Sequence, residues 1–173
     1  MRYFIIGFKN SGKTTFGRLL AGRLGLKFLA LDEYVEEREG KSIPEIYTRL
    51  GEDGFRRLEW KALKDVSVQH NHIVISTGGG APCHCDNMTL MEKYGDVIYL
   101  NVSNDLLVER LKHAAKDRPI VRGKSEAELR EYVNGLRERC EHHYLRAKYI
   151  VAGDDPDVEE VVRQLEQDPL QAV

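Results

Sequence analysis

Residues 7–15 read Gly7-Phe8-Lys9-Asn10-Ser11-Gly12-Lys13-Thr14-Thr15, the pattern G-x-x-x-x-G-K-[ST]. Before it lies the β-branched and aromatic run Tyr3–Ile6. After it Phe16, Leu19, Leu20 and Leu24 recur at helical spacing, and Gly25 sits where a helix commonly ends. A strand, a glycine-rich turn and a helix starting near Lys13 are therefore predicted. In such a turn glycines let backbone N–H groups point inward on phosphate oxygens, and the helix N-terminus adds partial positive charge. Lys13 would neutralise the β- and γ-phosphates of a nucleotide and the Thr14 hydroxyl would ligate Mg²⁺. Asn10, Ser11, Gly12 and Thr15 complete the predicted cradle.

Four more short runs, Lys27–Leu31, His72–Ser76, Val97–Leu100 and Tyr149–Ala152, alternate with segments of helical period. That alternation predicts βα units around a parallel sheet. One helical stripe carries Phe55, Leu58, Ala62, Leu63 and Val66, with Arg56 and Glu59 three apart on a neighbouring face where they can act together. Later helices are marked by Leu106, Leu107, Arg110 and Leu111, by Leu129, Val133 and Leu136, and by Val158, Val161, Val162 and Leu165. Residues 116–126, KDRPIVRGKSE, are charged and Pro/Gly-marked and read as a mobile loop.

With 42% apolar and 31% charged residues in 173, the chain has the makings of one ordered domain. Its net charge of −2 gives no broad attraction for nucleic acid or an anionic membrane, so anion recognition falls to individual Arg and Lys residues. No apolar run approaches the roughly 20 residues of a membrane span, and the N-terminal MRYFIIGF has no signal-peptide pattern, so a cytoplasmic location is expected. Cys83, Cys85 and Cys140 are odd in number, as free thiols in a reducing compartment would be. Cys83-His84-Cys85 lacks the second half of a zinc site and reads as loop thiols.

Two stretches besides the glycine turn bear on chemistry. In FLALDEYVEE (28–37) the apolar run stops at Asp32, whose carboxylate either caps a helix beginning at Glu33, or serves a reaction, or does both. In Ser76-Thr77-Gly78-Gly79-Gly80-Ala81-Pro82 three glycines follow a strand directly, which permits close backbone approach to a ligand at the carboxyl edge of the sheet. A flexible loop is the alternative for that composition.

Together GFKNSGKTT, then LDEYVEEREGKSIPEIYTRLGEDGFRRLE (31–59), STGGGAP (76–82) and DRPI (117–120) resemble the shikimate kinase family, within the P-loop nucleoside-monophosphate-kinase-like fold. The resemblance runs from about Met1 to Asp157, and GKSIPEIYTRLGEDGFRRLE is its most specific block. It implies a three-layer α/β/α fold with a five-stranded parallel sheet, in one kinase domain over 1–173. A substrate-binding region at about 32–60 and a lid at about 113–124 belong to the same picture. It also implies transfer of the ATP γ-phosphoryl to the 3-hydroxyl of shikimate with Mg²⁺ as cofactor. The partners would be ATP and shikimate, with neither nucleic acid nor membrane, and the chain a monomer.

By motif, Asp32 resembles the carboxylate that holds the reacting hydroxyl, and Arg56 the guanidinium that clamps the substrate carboxylate. Gly79 and Gly80 resemble backbone donors to substrate, and Arg118 resembles the lid's phosphate-facing arginine, a solvated loop arginine otherwise. Arg110 resembles the adenine-stacking arginine, with the Gly153-Asp154-Asp155-Pro156 turn across the base, although it also fits an exposed helix position.

The chain departs from the family twice. Ala30 stands where a first carboxylate usually helps hold the magnesium hydration shell. Cys140, in CEHHY, stands where R-x-P-L-Y places a second carboxylate-binding arginine, and Arg139 lies one residue earlier, about 100° around a helix. Arg139 is carried as its substitute. The adjacent His142 and His143 should point apart on a helix, in solvated or packing roles. These departures keep two alternatives open: a kinase for another small hydroxylated acid such as gluconate or homoserine, or a nucleotide-binding module with weakened metal chemistry.

Overall fold

The computed structural model describes residues 1–113 and 123–168. Period-two alternation along the first strand, β1 (Arg2–Ile6), sets the layering: Phe4 and Ile6 enter one apolar cluster and Tyr3 and Ile5 the other, all buried. A strand apolar on both faces needs cover on both, as parallel sheets do. The other strands are β2 (Lys27–Ala30), β3 (Ile73–Ser76), β4 (Asp96–Asn101) and β5 (Tyr149–Ala152). All pair in parallel, in the order β2-β3-β1-β4-β5. Each lies within one residue of its predicted bounds.

Helix α1 (Lys13–Leu24) covers one face through Phe16, Leu20 and Ala21, together with α7 (Val158–Glu166) through Val161 and Leu165. Gly25, at φ 66, closes α1 in the left-handed conformation its sequence position predicts. The other face carries α2 (Leu31–Glu39), α3 (Ile43–Gln69), α4 (Asn87–Tyr94), α5 (Asn104–His113) and α6 (Glu126–Tyr144). Helix α4 has no mark in the sequence pattern, because its eight residues bury only Met88 and Met91 as apolar anchors and are too few to display a period.

Ser42 opens α3 with a capping box to Glu45. The helix is broken at Gly51, whose φ of 67 and ψ of −177 is open essentially to glycine alone. Across the bend Tyr47 stacks on Phe55, centroids 4.6 Å apart. The bend thereby turns Ile43 and Tyr47 from one leg, and Arg56 and Glu59 from the other, toward one cavity.

The chain leaves β1 for the β2 edge, returns through β3 and then crosses β1 to reach β4. That reversal beside β1 opens a crevice at the carboxyl ends of the strands, the usual ligand position in open α/β sheets. Among the described residues no helix is long and apolar enough to cross a membrane.

Candidate active site

The crevice is a cavity of about 830 Å³ walled by the loop after β1, the start of α2, the bent α3, the glycine loop after β3, and Arg110 with His113 of α5. Sequence-distant motifs meet here because each follows the carboxyl end of a neighbouring strand.

In the first loop Gly7, Asn10 and Gly12 have φ of 147, 67 and 97, so the chain curls around a concavity. A Cβ on Gly7 would lie 2.8 Å from the Leu100 carbonyl oxygen, which leaves room for glycine only. Helix α1 starts from this curl with no side-chain cap and no acid in its first turn, so nothing of its own offsets the partial positive charge there. Lys13 adds to that charge and is buried, its Nζ donating to the Phe8 carbonyl at 2.8 Å. Such a terminus suits an anion with several acceptor oxygens. Arg110 lies across the loop, Nη1 donating to the Asn10 carbonyl at 2.9 Å.

The adjoining wall holds carboxylates. Asp32 opens to the cavity while protein surrounds it on most sides. That crowding raises its carboxyl pKa, and the ammonium groups of Lys13 and then Lys9 oppose the rise. The helix-cap role expected for Asp32 is not found: α2 begins at Leu31, Ala30 occupies the N-cap position, and no side chain caps the helix. The boundary moved because Leu31, fully buried, folds into the first turn instead of ending the strand.

Arg56 and Glu59 do meet. Arg56 Nη1 donates to Glu59 Oε2 at 2.8 Å, and Nη2 reaches Glu52 at 3.5 Å. Glu59 is 1% exposed and its Oε1 has no partner, so burial outweighs the ion pair and pushes its carboxyl up to about 7. This residue was missing from the predicted site although its spacing from Arg56 was visible.

Gly78, Gly79 and Gly80 are set by close approach, not by left-handed backbone. A Cβ on Gly78 would lie 2.6 Å from Glu59 Oε1 and 3.0 Å from Asp32 Oδ1, one on Gly79 2.7 Å from the Lys9 backbone nitrogen, and one on Gly80 2.4 Å from Arg56 Nη2. The buried Tyr144 hydroxyl donates to the Gly79 carbonyl. In a trans peptide the next N–H points the opposite way, so this bond turns the Gly80 N–H away from Tyr144.

A magnesium site can be tested on donors alone. The Thr14 and Ser76 hydroxyls lie 3.4 Å apart, Asp32 opens on the same cavity, and Ala30 presents only a methyl group. Mg²⁺ keeps several waters and takes one or two protein oxygens beside substrate phosphates, so this hard-oxygen set fits it.

Asn10, Gly12, Lys13, Thr14, Thr15, Asp32, Arg56, Gly79, Gly80 and Arg110 thus line one cavity, with Ser11 buried in the loop beneath. Arg139 does not join them: it is exposed on α6 and absent from the cavity wall. Cys140 is half-buried instead and, like Cys83, packs against the apolar cluster that holds Tyr144. Gly153 and Asp154 line a second hollow beside Ser103, whose N–H and hydroxyl both bond to Asp154 at 2.7 Å. Arg110 is not part of that hollow's wall, although its charge reaches Asp154. The rings of His142 and His143 do not point apart as expected but pack together, centroids 4.0 Å apart at an interplanar angle of 39°. Arg118 and most of the expected lid, 114–122, lie outside the described residues. Gly78 lines the cavity with its two neighbours, as the three-glycine stretch suggested, and Lys9, Tyr47, Phe55, Ser76 and Thr77 line it without an expected ligand role.

Comparison with known proteins agrees with this geometry. The protein-family model described as Shikimate kinase matches residues 9–168. The shikimate kinase of Bacteroides thetaiotaomicron is 40% identical over 96% of this chain and 97% of its own. Its crystal structure superposes with a TM-score of 0.88. That of Aquifex aeolicus shikimate kinase gives 0.84 at 35% identity, covering 99% of this chain and 100% of that one. The Acinetobacter baumannii enzyme, solved in complex with shikimate, gives 0.83 at 28% identity, covering 96% and 90%. With its sequence matched nearly end to end and its strand order and cavity in place, the chain belongs to the shikimate kinase family.

Proposed function

We propose that this chain transfers the γ-phosphoryl group of ATP to the 3-hydroxyl of shikimate, yielding shikimate 3-phosphate and ADP. One observation carries the reading: an uncapped, lysine-bearing helix terminus built for phosphates and a carboxylate–guanidinium wall built for a small hydroxylated acid face each other across one cavity. Two reactants held in one cavity exchange an encounter in solution for a fixed geometry, which supplies a large part of phosphoryl-transfer catalysis.

In this reading Asn10, Ser11, Gly12 and Thr15 hold the nucleotide phosphates through the loop and helix start. Lys13 exchanges the Phe8 carbonyl for phosphate oxygens as charge builds on them. Thr14, with Ser76 beside it, would hold Mg²⁺, which would supply positive charge to the phosphates when bound. Asp32 accepts a hydrogen bond from the reacting hydroxyl and orients it; Lys13 and Lys9 favour the ionised form this requires. Arg56 grips the substrate carboxylate, and the glycine loop brings backbone N–H groups to the same ligand. Arg110 borders the nucleotide, and Arg118, by its motif, would serve as the phosphate-facing arginine. Arg139, exposed on α6, has no part in this arrangement. The chain acts as a cytoplasmic monomer in a single domain.

An ADP-release assay with Mg·ATP and shikimate tests the proposal. Shikimate-dependent turnover with kcat/KM above about 10⁴ M⁻¹s⁻¹ is expected. Turnover no faster than the ATPase background, or a higher kcat/KM for gluconate or homoserine, overturns it.

A further inference from the structure

Among the described residues, the acceptor side of the cavity carries little positive charge. Arg56 already faces two carboxylates, Glu59 at 2.8 Å and Glu52 at 3.5 Å, and Asp32 stands on the same wall. Among the described residues, an incoming carboxylate would therefore meet one guanidinium already engaged by Glu59 and Glu52, with Asp32 on the same wall. Binding a further anion there calls for a second cation, since like charges in a partly desolvated site repel strongly.

The other cations on the described cavity wall are Lys9, Lys13 and Arg110, with His113 as a titratable fourth. Lys13 is buried at the phosphate loop and Arg110 is bonded to the Asn10 carbonyl, so both belong to the nucleotide half. Lys9 is placed differently. Its backbone nitrogen and Cα are the nearest atoms to a Cβ built on Gly79, at 2.7 and 3.2 Å, so its side chain springs from the contact between the phosphate loop and the glycine loop. It is exposed, lines the cavity, and its charge acts on Asp32.

We propose that Lys9 is a specificity-determining residue for the acceptor, supplying with Arg56 the positive pair that receives its carboxylate. A lysine suits this place because a flexible stem on a fixed backbone anchor lets a point charge adjust to the ligand, while the planar fork of Arg56, on the same cavity wall, sets the geometry. The inference rests on the reading of shikimate as acceptor.

The test compares wild type with Lys9→Met and Lys9→Arg, using shikimate as substrate and its uncharged methyl ester as a competitive ligand. Lys9→Met is expected to raise the shikimate KM about tenfold or more while the KM for ATP stays within about twofold. The inhibition constant of the ester should hardly change, and Lys9→Arg should restore most of the shikimate affinity. Melting temperatures report folding, and Lys9→Gln replaces Lys9→Met should the latter unfold. An unchanged shikimate KM, or equal losses for shikimate and ester, overturns the assignment of Lys9 while leaving shikimate as the substrate. Wild type that neither binds nor phosphorylates shikimate overturns both readings.

Discussion

Asp32 stands in the first turn of α2 with no cap bond to the helix, near Lys13 and Lys9 on one side and Glu59 on the other. A carboxylate that makes no cap bond to its helix in such a place should matter far more to turnover than to folding. Asp32→Asn keeps the shape and removes the charge, so kcat should fall by about 10²–10⁴ with little change in the KM for ATP. Its melting temperature should stay within about 4 °C, because only a first-turn helix-dipole contribution of roughly 1 kcal/mol is lost. A kcat equal to wild type, with a lower melting temperature, would show a structural residue instead. Lys13→Met should reduce turnover further, because the buried ammonium beside the phosphate loop has no replacement. At this scale the phosphate-loop spacing alone pointed to Lys13, whereas Asp32 and Arg56 were named through the family resemblance, since the residues by themselves left Asp32 as readily a helix cap. Neither pointed to Lys9, a surface-type residue whose importance arises only when Gly79 packs against its backbone.

Each glycine of the loop after β3 faces a different neighbour, and the neighbour decides what a methyl group would do. Gly79 abuts the Lys9 backbone, which cannot swing aside, so Gly79→Ala should cost about 1–3 kcal/mol of stability as overpacking. Gly80 abuts the end of the Arg56 side chain, which can move, so Gly80→Ala should melt near wild type and instead raise the shikimate KM several-fold. Thermal melts and steady-state kinetics on the two variants separate these outcomes; equal melting losses in both would refute the distinction. The strands and most helices were legible because burial on one or two faces imposes a period of 2 or 3.6 on the sequence. The break in α3 was not, since a glycine between two helical patterns does not announce a φ of 67. The start of α2 was misplaced by the same limit, because Leu31 suits a buried strand end and a buried first turn equally well.

Across the whole molecule, the strand order brings residues from four loops to one crevice, and the cost of that convergence is concentrated in Glu59. Its carboxyl is fully buried, one oxygen lacks a partner, and its ion pair with Arg56 does not offset the burial. The folded state therefore holds the proton up to about pH 7, whereas in the unfolded chain a glutamate releases it near 4.5. Between those values the folded state binds more protons, so stability is fully present below the unfolded pKa and is lost as pH rises through the folded one. The slope is at most about 1.4 kcal/mol per pH unit and the total roughly 3 kcal/mol. His84 and His143, both held below their usual range by burial, work in the opposite direction near pH 6, so the raw profile of the protein mixes the two effects. Glu59→Gln isolates the carboxylate. The stability of wild type minus that of the variant, from urea unfolding at pH 5, 6, 7 and 8, should decline steadily across the series and level off above pH 7. The variant leaves Arg56 without its nearest counter-charge, which shifts the whole difference but not its slope over this range, because the guanidinium does not titrate there. A difference that stays flat from pH 5 to 8 would mean that the Arg56 pair keeps Glu59 ionised throughout, and that the site presents a full negative charge beside the substrate carboxylate at every physiological pH.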